Sequence, residues 1–126
     1  MSIVFRTRKI IKPEDLNSRG TLFGGRLLAW IDEECAIFSA CQMKTHNIVT
    51  KYMSELNFLS PAYQNDIIEI GVETIKVGAS SLTVRCIVRN KETQNDIVSV
   101  NHIVFVAVDE AGRPTRHALS RMSSAA

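Results

Sequence analysis

A carboxylate stands in the most apolar segment of this chain, a short distance after a pair of glycines. The stretch "NSRGTLFGGRLLAWID", residues 17–32, runs from a polar loop through Gly24 and Gly25 to Asp32. Aspartate is a poor residue for the interior of a helix, and a buried, unpaired carboxylate is costly. Asp32 is therefore expected in a cleft or at an interface, where a carboxylate can act as a general base.

The glycine pair opens the same predicted helix. The first amides of a helix lack internal partners, and they suit a carbonyl oxygen that gains negative charge, although the glycines could instead only permit a tight loop. Seven residues put Asp32 about 10 Å along the helix axis from Gly25. One small reacting group is not expected to reach both within one chain. If both serve one reaction, an interface would bring Asp32 of one copy to the loop of another.

Hydrophobic periodicity predicts the elements that position these residues. Residues 24–43 predict one long helix, and strands are predicted at residues 3–11, 47–58, 66–78, 80–90 and 97–109. Long antiparallel strands twist and coil, and the helix is the only other element that can fill their concave face. We therefore predict an α+β fold, a curved antiparallel sheet of about five strands around one central helix. The predicted apolar stripe of the helix consists of Leu28, Ile31, Cys35 and Phe38.

The bulk composition excludes several classes of function. A chain of 126 residues with a net charge of +2 and 45% apolar residues predicts one globular domain, residues 1–118, followed by a flexible tail, residues 119–126. The small net charge gives no support for nucleic acid or membrane partners. The N-terminus alternates charged and apolar residues, unlike a signal peptide, and no apolar stretch is long enough to span a bilayer. A cytoplasmic location is expected.

Cysteines and histidines do not form a recognisable site. Cys35, Cys41 and Cys86 are an odd number without a Cys-x-x-Cys pair, and the three histidines are isolated. We expect no metal site, and we expect Cys35 and Cys41 to be buried packing residues. The long edge strands of the predicted sheet would favour association, and a symmetric dimer would cover them.

Taken together, these segments resemble the hotdog-fold acyl-CoA thioesterases, specifically the YciA-like and cytosolic acyl-CoA hydrolase group. The likeness starts with the stretch quoted above and continues through "IVTKYMSELNFLSPAYQNDIIEI", "KVGASSLTVRCIV" and "HIVFVAVDEAGRP". The resemblance implies hydrolysis of acyl-CoA to a free acid and coenzyme A, with no cofactor beyond the coenzyme A of the substrate. It also implies a homodimer as the minimal unit, hexamers built as trimers of dimers, and sites shared between subunits.

The resemblance assigns roles to individual residues. It implies that Asp32 is the general base or nucleophile, that Asn17 positions the water or the acyl group, and that the Gly25 amide polarises the thioester carbonyl. Further substrate or coenzyme A contacts are expected at Phe23, Gly24, Thr50, Lys51, Lys76, Ser80, Ser81 and Arg85. Ala79 stands before the serine pair, where the family often has an arginine.

Two alternatives stay open at this point. A non-catalytic acyl-CoA-binding or sensing domain could use the same fold, although the retention of both Asn17 and Asp32 argues against it. A hotdog dehydratase would need a catalytic histidine beside a glutamate, and residues 1–45 contain no histidine.

Overall fold

The central helix has a clear start and a clear end. In the computed structural model, which describes residues 3–119, helix α1 spans Gly24–Met43 and follows Phe23, whose backbone is extended. It ends at Lys44, which adopts the left-handed conformation (φ 57°) and donates its amide to the carbonyl of Ala40. The predicted helix, residues 24–43, is therefore confirmed at both ends.

Within the described residues, six antiparallel strands surround the helix. They are β1 (Val4–Ile10), β2 (Ile48–Met53), β3 (Leu56–Phe58), β4 (Ile67–Val77), β5 (Ser81–Asn90) and β6 (Asp96–Ala107), and a 3-10 turn spans Pro13–Asp15. The sheet order is β1-β4-β5-β6-β2, and β3 also pairs with β6. The sheet does not close, so β1 forms one edge and β2 with β3 the other. The predicted fold, a curved antiparallel sheet around one helix, is confirmed.

The predicted strand over residues 47–58 is interrupted, which gives six strands rather than about five. Both halves pair with β6, but Ser54 and Glu55 separate Met53 from Leu56. The Ser54 amide donates to the His102 carbonyl at 2.8 Å, whereas the His102 amide donates to the Ser54 hydroxyl at 3.1 Å. A side-chain oxygen thus replaces a backbone carbonyl in the ladder, and periodicity alone does not reveal such a replacement.

The helix faces the sheet along a line of residues four apart. This line consists of Leu27, Ile31, Cys35, Ser39 and Met43, and it packs on the inward-facing residues of the long strands. The predicted stripe was partly wrong, because Leu28 is 39% exposed and Phe38 is only half-buried. Since the helix is apolar on several faces, spacing alone selected a line that lies partly beside the buried one.

The predicted domain and tail lie partly outside the structure. Residues 120–126 of the predicted tail are not among the residues that the structure describes, whereas Leu119 packs against the core. The domain and tail boundaries stay a prediction.

Candidate active site

Asp32 lies on the flank of α1 that faces β2. Because residues 44–47 alone join the two elements, β2 runs back along the helix. This brings Thr50 to Asp32, and the Thr50 hydroxyl donates a hydrogen bond to Asp32 Oδ1 at 2.9 Å. The carboxylate is half-buried and is held by a neutral donor, so it remains available for chemistry.

A cleft of about 360 Å³ contains this pair. Its walls are Gly25, Leu28, Ala29, Asp32, Thr50 and Met53. Helical positions three, four and seven apart share one face, which explains why Gly25 and Asp32 line the same cleft. Their separation along the helix is still about 10 Å. The prediction that a second copy completes each site therefore stays a prediction. Leu28, Ala29 and Met53 were not anticipated, since apolar residues carry no chemical signal in a sequence.

The two glycines at the helix start differ in their surroundings. A Cβ atom on Gly25 would lie 2.7 Å from a ring carbon of Phe23, whereas one on Gly24 would meet Phe58 at an ordinary 3.8 Å. The close approach expected at the glycine pair therefore concerns Gly25, and the Phe23 ring occupies that space. Gly24 lines a neighbouring cleft with Phe58. The first-turn amides of a helix have no partner within the helix itself.

The Asn17 side chain forms hydrogen bonds within the loop in which it lies. Its Oδ1 accepts hydrogen bonds from the amides of Arg19 at 2.9 Å and Thr21 at 3.2 Å, and its Nδ2 donates to the Thr21 hydroxyl at 2.9 Å. Asn17 is not part of the wall of the Asp32 cleft. The structure thus does not bring Asn17 and Asp32 into one cleft of a single chain.

The basic residues expected to meet coenzyme A are dispersed over the sheet. Lys51 is the extra residue of a bulge in β2, and Lys76 lies near the end of β4. Two strands separate β2 from β4, which amounts to about 14 Å. Arg85 is already paired, since its Nη1 lies 3.4 Å from Glu73 Oε1. The structure therefore does not gather Lys51, Lys76 and Arg85 at one point.

The serine pair forms part of the hairpin between β4 and β5. The Ser81 carbonyl accepts the Gly78 amide at 3.0 Å, and the Ser80 carbonyl accepts the Ala107 amide at 2.7 Å. Both backbones are thus fixed by the sheet. A contact of either hydroxyl with coenzyme A stays a prediction.

Cys35 is poorly suited to act as a nucleophile. A hydrogen bond with Cys86 and then burial raise the pKa of the Cys35 thiol above its ordinary value, so the thiolate is disfavoured. The expectation for Cys41 was wrong, because it is exposed and lies off the buried line of the helix. Within residues 3–119, no group of three or more His, Cys, Asp or Glu residues could hold a metal ion.

Large apolar side chains are exposed on the two elements that form the Asp32 cleft. Leu28 in the wall of the cleft is 39% exposed, and Val49 and Tyr52 on β2 are 49% and 56% exposed. Within residues 3–119, β2 is an edge strand of the sheet. An apolar surface next to a free strand edge suits association with another copy.

A long helix packed on a curved, open antiparallel sheet is the architecture of the hotdog fold. A family model described as Thioesterase superfamily matches residues 19–97. This is more than half of the chain, and the chain belongs to that superfamily. The prediction of a hotdog-fold thioesterase is confirmed. In the described part of the chain, no helix is long and apolar enough to cross a membrane.

Individual relatives agree with this assignment. The chain is 33% identical over 118 residues to a Bacillus subtilis protein named uncharacterized acyl-CoA thioester hydrolase YkhA. The aligned region covers 90% of this chain and 66% of that protein, just under two thirds of its length. A hexameric thioesterase from Yersinia pestis is 28% identical, with a TM-score of 0.81 and coverage of 92% and 94%. An acyl-CoA hydrolase from Staphylococcus aureus, in complex with butyryl coenzyme A and coenzyme A, is 29% identical, with a TM-score of 0.79 and coverage of 88% and 66%.

Proposed function

We propose that this chain hydrolyses acyl-CoA thioesters to a carboxylic acid and coenzyme A. The observation that carries the proposal is Asp32, held by Thr50 in an accessible cleft that begins at the helix-start residue Gly25. Membership of the thioesterase superfamily supports it. The naming of the Bacillus relative and the coenzyme A complex of the Staphylococcus relative support acyl-CoA as the substrate.

In this proposal Asp32 acts on the thioester carbonyl carbon in one of two ways. As a general base it accepts a proton from water, whose oxygen attacks the carbon; as a nucleophile it attacks directly and forms a mixed anhydride that water then cleaves. In either case the carbonyl oxygen becomes an oxyanion, which the Gly25 amide stabilises. Collapse of the tetrahedral intermediate breaks the C–S bond and releases the thiolate of coenzyme A. Thr50 fixes Oδ1 and leaves the second carboxylate oxygen for this chemistry.

The proposed site is completed by a second copy of the chain. Asn17 and Gly25 of one copy would then act with Asp32 of another, which agrees with their separation of about 10 Å along one helix. The Staphylococcus relative has also been crystallised as alanine variants of an asparagine and an aspartate. Their sequence separation equals that of Asn17 and Asp32, which supports a joint role. The hexameric state of the Yersinia relative supports a hexamer of this chain.

The remaining contacts are proposed for the substrate itself. Phe23 and Gly24 would border the acyl thioester, since both lie at the helix start. Lys51, Lys76, Ser80, Ser81 and Arg85 would meet the coenzyme A portion from more than one subunit, because they are dispersed over a single chain. No cofactor beyond the coenzyme A of the substrate is proposed.

The test is thiol release from acyl-CoAs of varied chain length by the full chain. Asp32→Asn keeps the size of the side chain, and its kcat is expected to fall by about 10²–10⁴-fold. Glu33→Gln is the matched control, since Glu33 is the neighbouring acid and is exposed; it should retain the wild-type rate. Equal activity of Asp32→Asn and the wild type would remove Asp32 from the mechanism. Binding of acyl-CoA without any release would point to the non-catalytic alternative.

A further inference from the structure

A second cleft lies on the opposite side of the helix start, between β1, the 3-10 turn and α1. Its volume is about 420 Å³, and its walls include Lys9, Lys12, Asp15, Arg26 and Trp30. We call it the Arg26 cleft. Three cations border this one depression, whereas the basic residues discussed above are dispersed. None of its residues has a role in the proposed thioester chemistry.

Asp15 is the buried residue that positions Arg26 and the Lys12 backbone in the Arg26 cleft. It is only 6% exposed, and its Oδ2 accepts the Lys12 amide at 2.9 Å. Its Oδ1 lies 3.3 Å from Arg26 Nε, while 47% of the Arg26 side chain remains exposed. The buried carboxylate thus orients the guanidinium through Nε. The terminal nitrogens of an arginine held in this way suit the oxygens of a phosphate.

The two lysines add charge at the same depression. Lys9 Nζ lies 5.4 Å from the centroid of the Trp30 ring, so a cation–π interaction holds this ammonium over the indole. Lys12 follows β1 by two residues and lines the same cleft. The wall also contains two acids, Glu14 and Asp15, so its three cations leave a net charge of +1. Asp15 pairs with Arg26 through Nε, which leaves Lys9, Lys12 and the terminal nitrogens of Arg26 facing an anionic ligand.

The position of the cleft ties it to the loop that carries Asn17. Lys12 and Asp15 precede that loop, and Arg26 follows it. The Phe23 amide donates a hydrogen bond to the Asp15 carbonyl at 2.9 Å, and this bond joins the two ends of the loop. Lys9 pairs with the start of β4, whereas the Ser80–Ser81 hairpin follows the end of β4. A strand of this length spans about 30 Å. The Arg26 cleft is thus distinct from the contacts proposed at that hairpin in the same chain.

We propose that the Arg26 cleft binds the phosphate groups of a nucleotide, with Arg26, Lys9 and Lys12 as the ligating residues. Two sources share this chemistry: the nucleotide end of coenzyme A and a free nucleotide. The first source rests on the proposed function, since it requires acyl-CoA as the substrate. The second does not depend on catalysis.

Direct binding is measured on the full chain by isothermal titration calorimetry at low ionic strength, with adenosine 3′,5′-bisphosphate and ADP as probes. Arg26→Gln should weaken binding about tenfold or more, as expected for the loss of a charge-assisted contact, and added salt should weaken it further. Because Arg26→Gln also affects Asp15, a second variant combines Lys9→Gln with Lys12→Gln and leaves the Lys12 amide contact in place. Lys44→Gln, at the far end of α1, is the matched control and should bind as the wild type does.

Kinetics distinguish the two sources. If KM rises for acyl-CoA in the variants but not for the matching acyl-pantetheine thioester, the phosphates are those of coenzyme A. If probe binding is lost while both KM values stay unchanged, the ligand is a free nucleotide. The proposal is overturned if the wild type binds neither probe, or if both cleft variants bind as tightly as the wild type. A wild type without thioesterase activity would contradict the proposed function, and the calorimetry would still decide the Arg26 cleft.

Discussion

The two flanks of α1 carry the same small motif in different surroundings. On the β2 flank, Asp32 accepts a hydrogen bond from Thr50 at 2.9 Å. On the β1 flank, Glu34 accepts one from Thr7 at 2.7 Å. Each is a helix carboxylate held by a threonine of an edge strand. The pair alone therefore does not define a catalytic site, and the distinction must come from what surrounds it.

Helical geometry supplies this distinction. Asp32 follows Gly25 by nearly two full turns and lies on the same face, whereas Glu34 follows Gly25 by two and a half turns and points to the opposite side. Glu34 borders a separate cleft of about 270 Å³ with Arg6, and its other walls are largely apolar. Only the Asp32 flank combines a carboxylate with helix-start amides. We infer that catalysis belongs to the β2 flank and that Glu34 is structural.

The largest expected effect is a difference between the two carboxylates. Asp32→Asn should reduce kcat by about 10³-fold, whereas Glu34→Gln should change kcat less than twofold, since its amide can still accept the Thr7 hydrogen bond. Both variants are assayed for thiol release with the same acyl-CoA, and circular dichroism verifies that each is folded. If Glu34→Gln were the slower enzyme, the assignment of the two flanks would have to be reversed.

The next largest expected effect is a difference between the two edge strands in their contribution to dimer formation. Val49 on β2 and Val4 on β1 are both about half exposed, but only Val49 lies on the strand that carries Thr50 of the Asp32 cleft. A charge in an apolar interface costs several kcal/mol. Val49→Asp should therefore raise the dissociation constant of the dimer at least about 100-fold, and Val4→Asp should leave it unchanged. Analytical ultracentrifugation over a range of concentrations measures both. Intact assembly of Val49→Asp would place the interface elsewhere.

The stability of the sheet near β1 should depend on pH, because the buried carboxylate of Glu69 pairs with two arginines. Glu69 on β4 accepts from Arg89 on β5 at 2.8 Å and from Arg8 on β1 at 3.3 Å. Burial alone would raise the pKa of Glu69, but the hydrogen bonds and charges of Arg89 and Arg8 outweigh it and lower that pKa. A lowered pKa in the folded state means that the stabilisation is complete above the unfolded value of about 4.3 and is lost as pH falls through the folded value.

Glu69→Gln should consequently reduce the free energy of unfolding by about 2 kcal/mol at pH 7, and the difference from the wild type should shrink below pH 4. Urea unfolding at pH 7 and at low pH, at one protein concentration, measures this. Glu92→Gln, at an exposed acid in a turn, is the control and should follow the wild type. A constant difference between Glu69→Gln and the wild type at all pH values would contradict a role for the ionised form.

The elements of this fold could be predicted because they depend on local pattern. Residues 24–43 were predicted as a helix and form one, and the long strands were predicted to within a residue or two. Two features of the fold could not be predicted from the sequence. The break at Ser54 depends on a side-chain hydrogen bond to a distant strand, and the buried line of α1 depends on how the sheet covers a helix that is apolar on several faces.

The candidate site also contains features that the sequence predicts and features that it does not. Asp32 could be selected because an aspartate in an apolar helix is chemically unusual. The contact of Thr50 with Asp32 could not be derived from spacing, since it requires β2 to return along the helix. The Arg26 cleft left no pattern either, because a loop separates Arg26 from Lys9 and Lys12 in the sequence. Asp15 contacts Arg26 and the Lys12 amide, and Lys9 lies over Trp30. Charges that are ordinary in the sequence line one cleft only in the folded chain.

The smallest expected effect concerns the two threonines, and it tests the comparison most closely. Thr50→Val removes the hydrogen bond to Asp32 and keeps the shape of the side chain. Without that bond the carboxylate samples other rotamers, so kcat should fall about tenfold while KM stays within twofold of the wild type. Thr7→Val removes the equivalent bond to Glu34 and should cost about 1 kcal/mol of stability with no change in kcat. Thr50→Ser restores the hydroxyl and should recover most of the rate. If Thr50→Val lost stability but no activity, Thr50 would be equivalent to Thr7, and the helix-start amides alone would distinguish the two flanks.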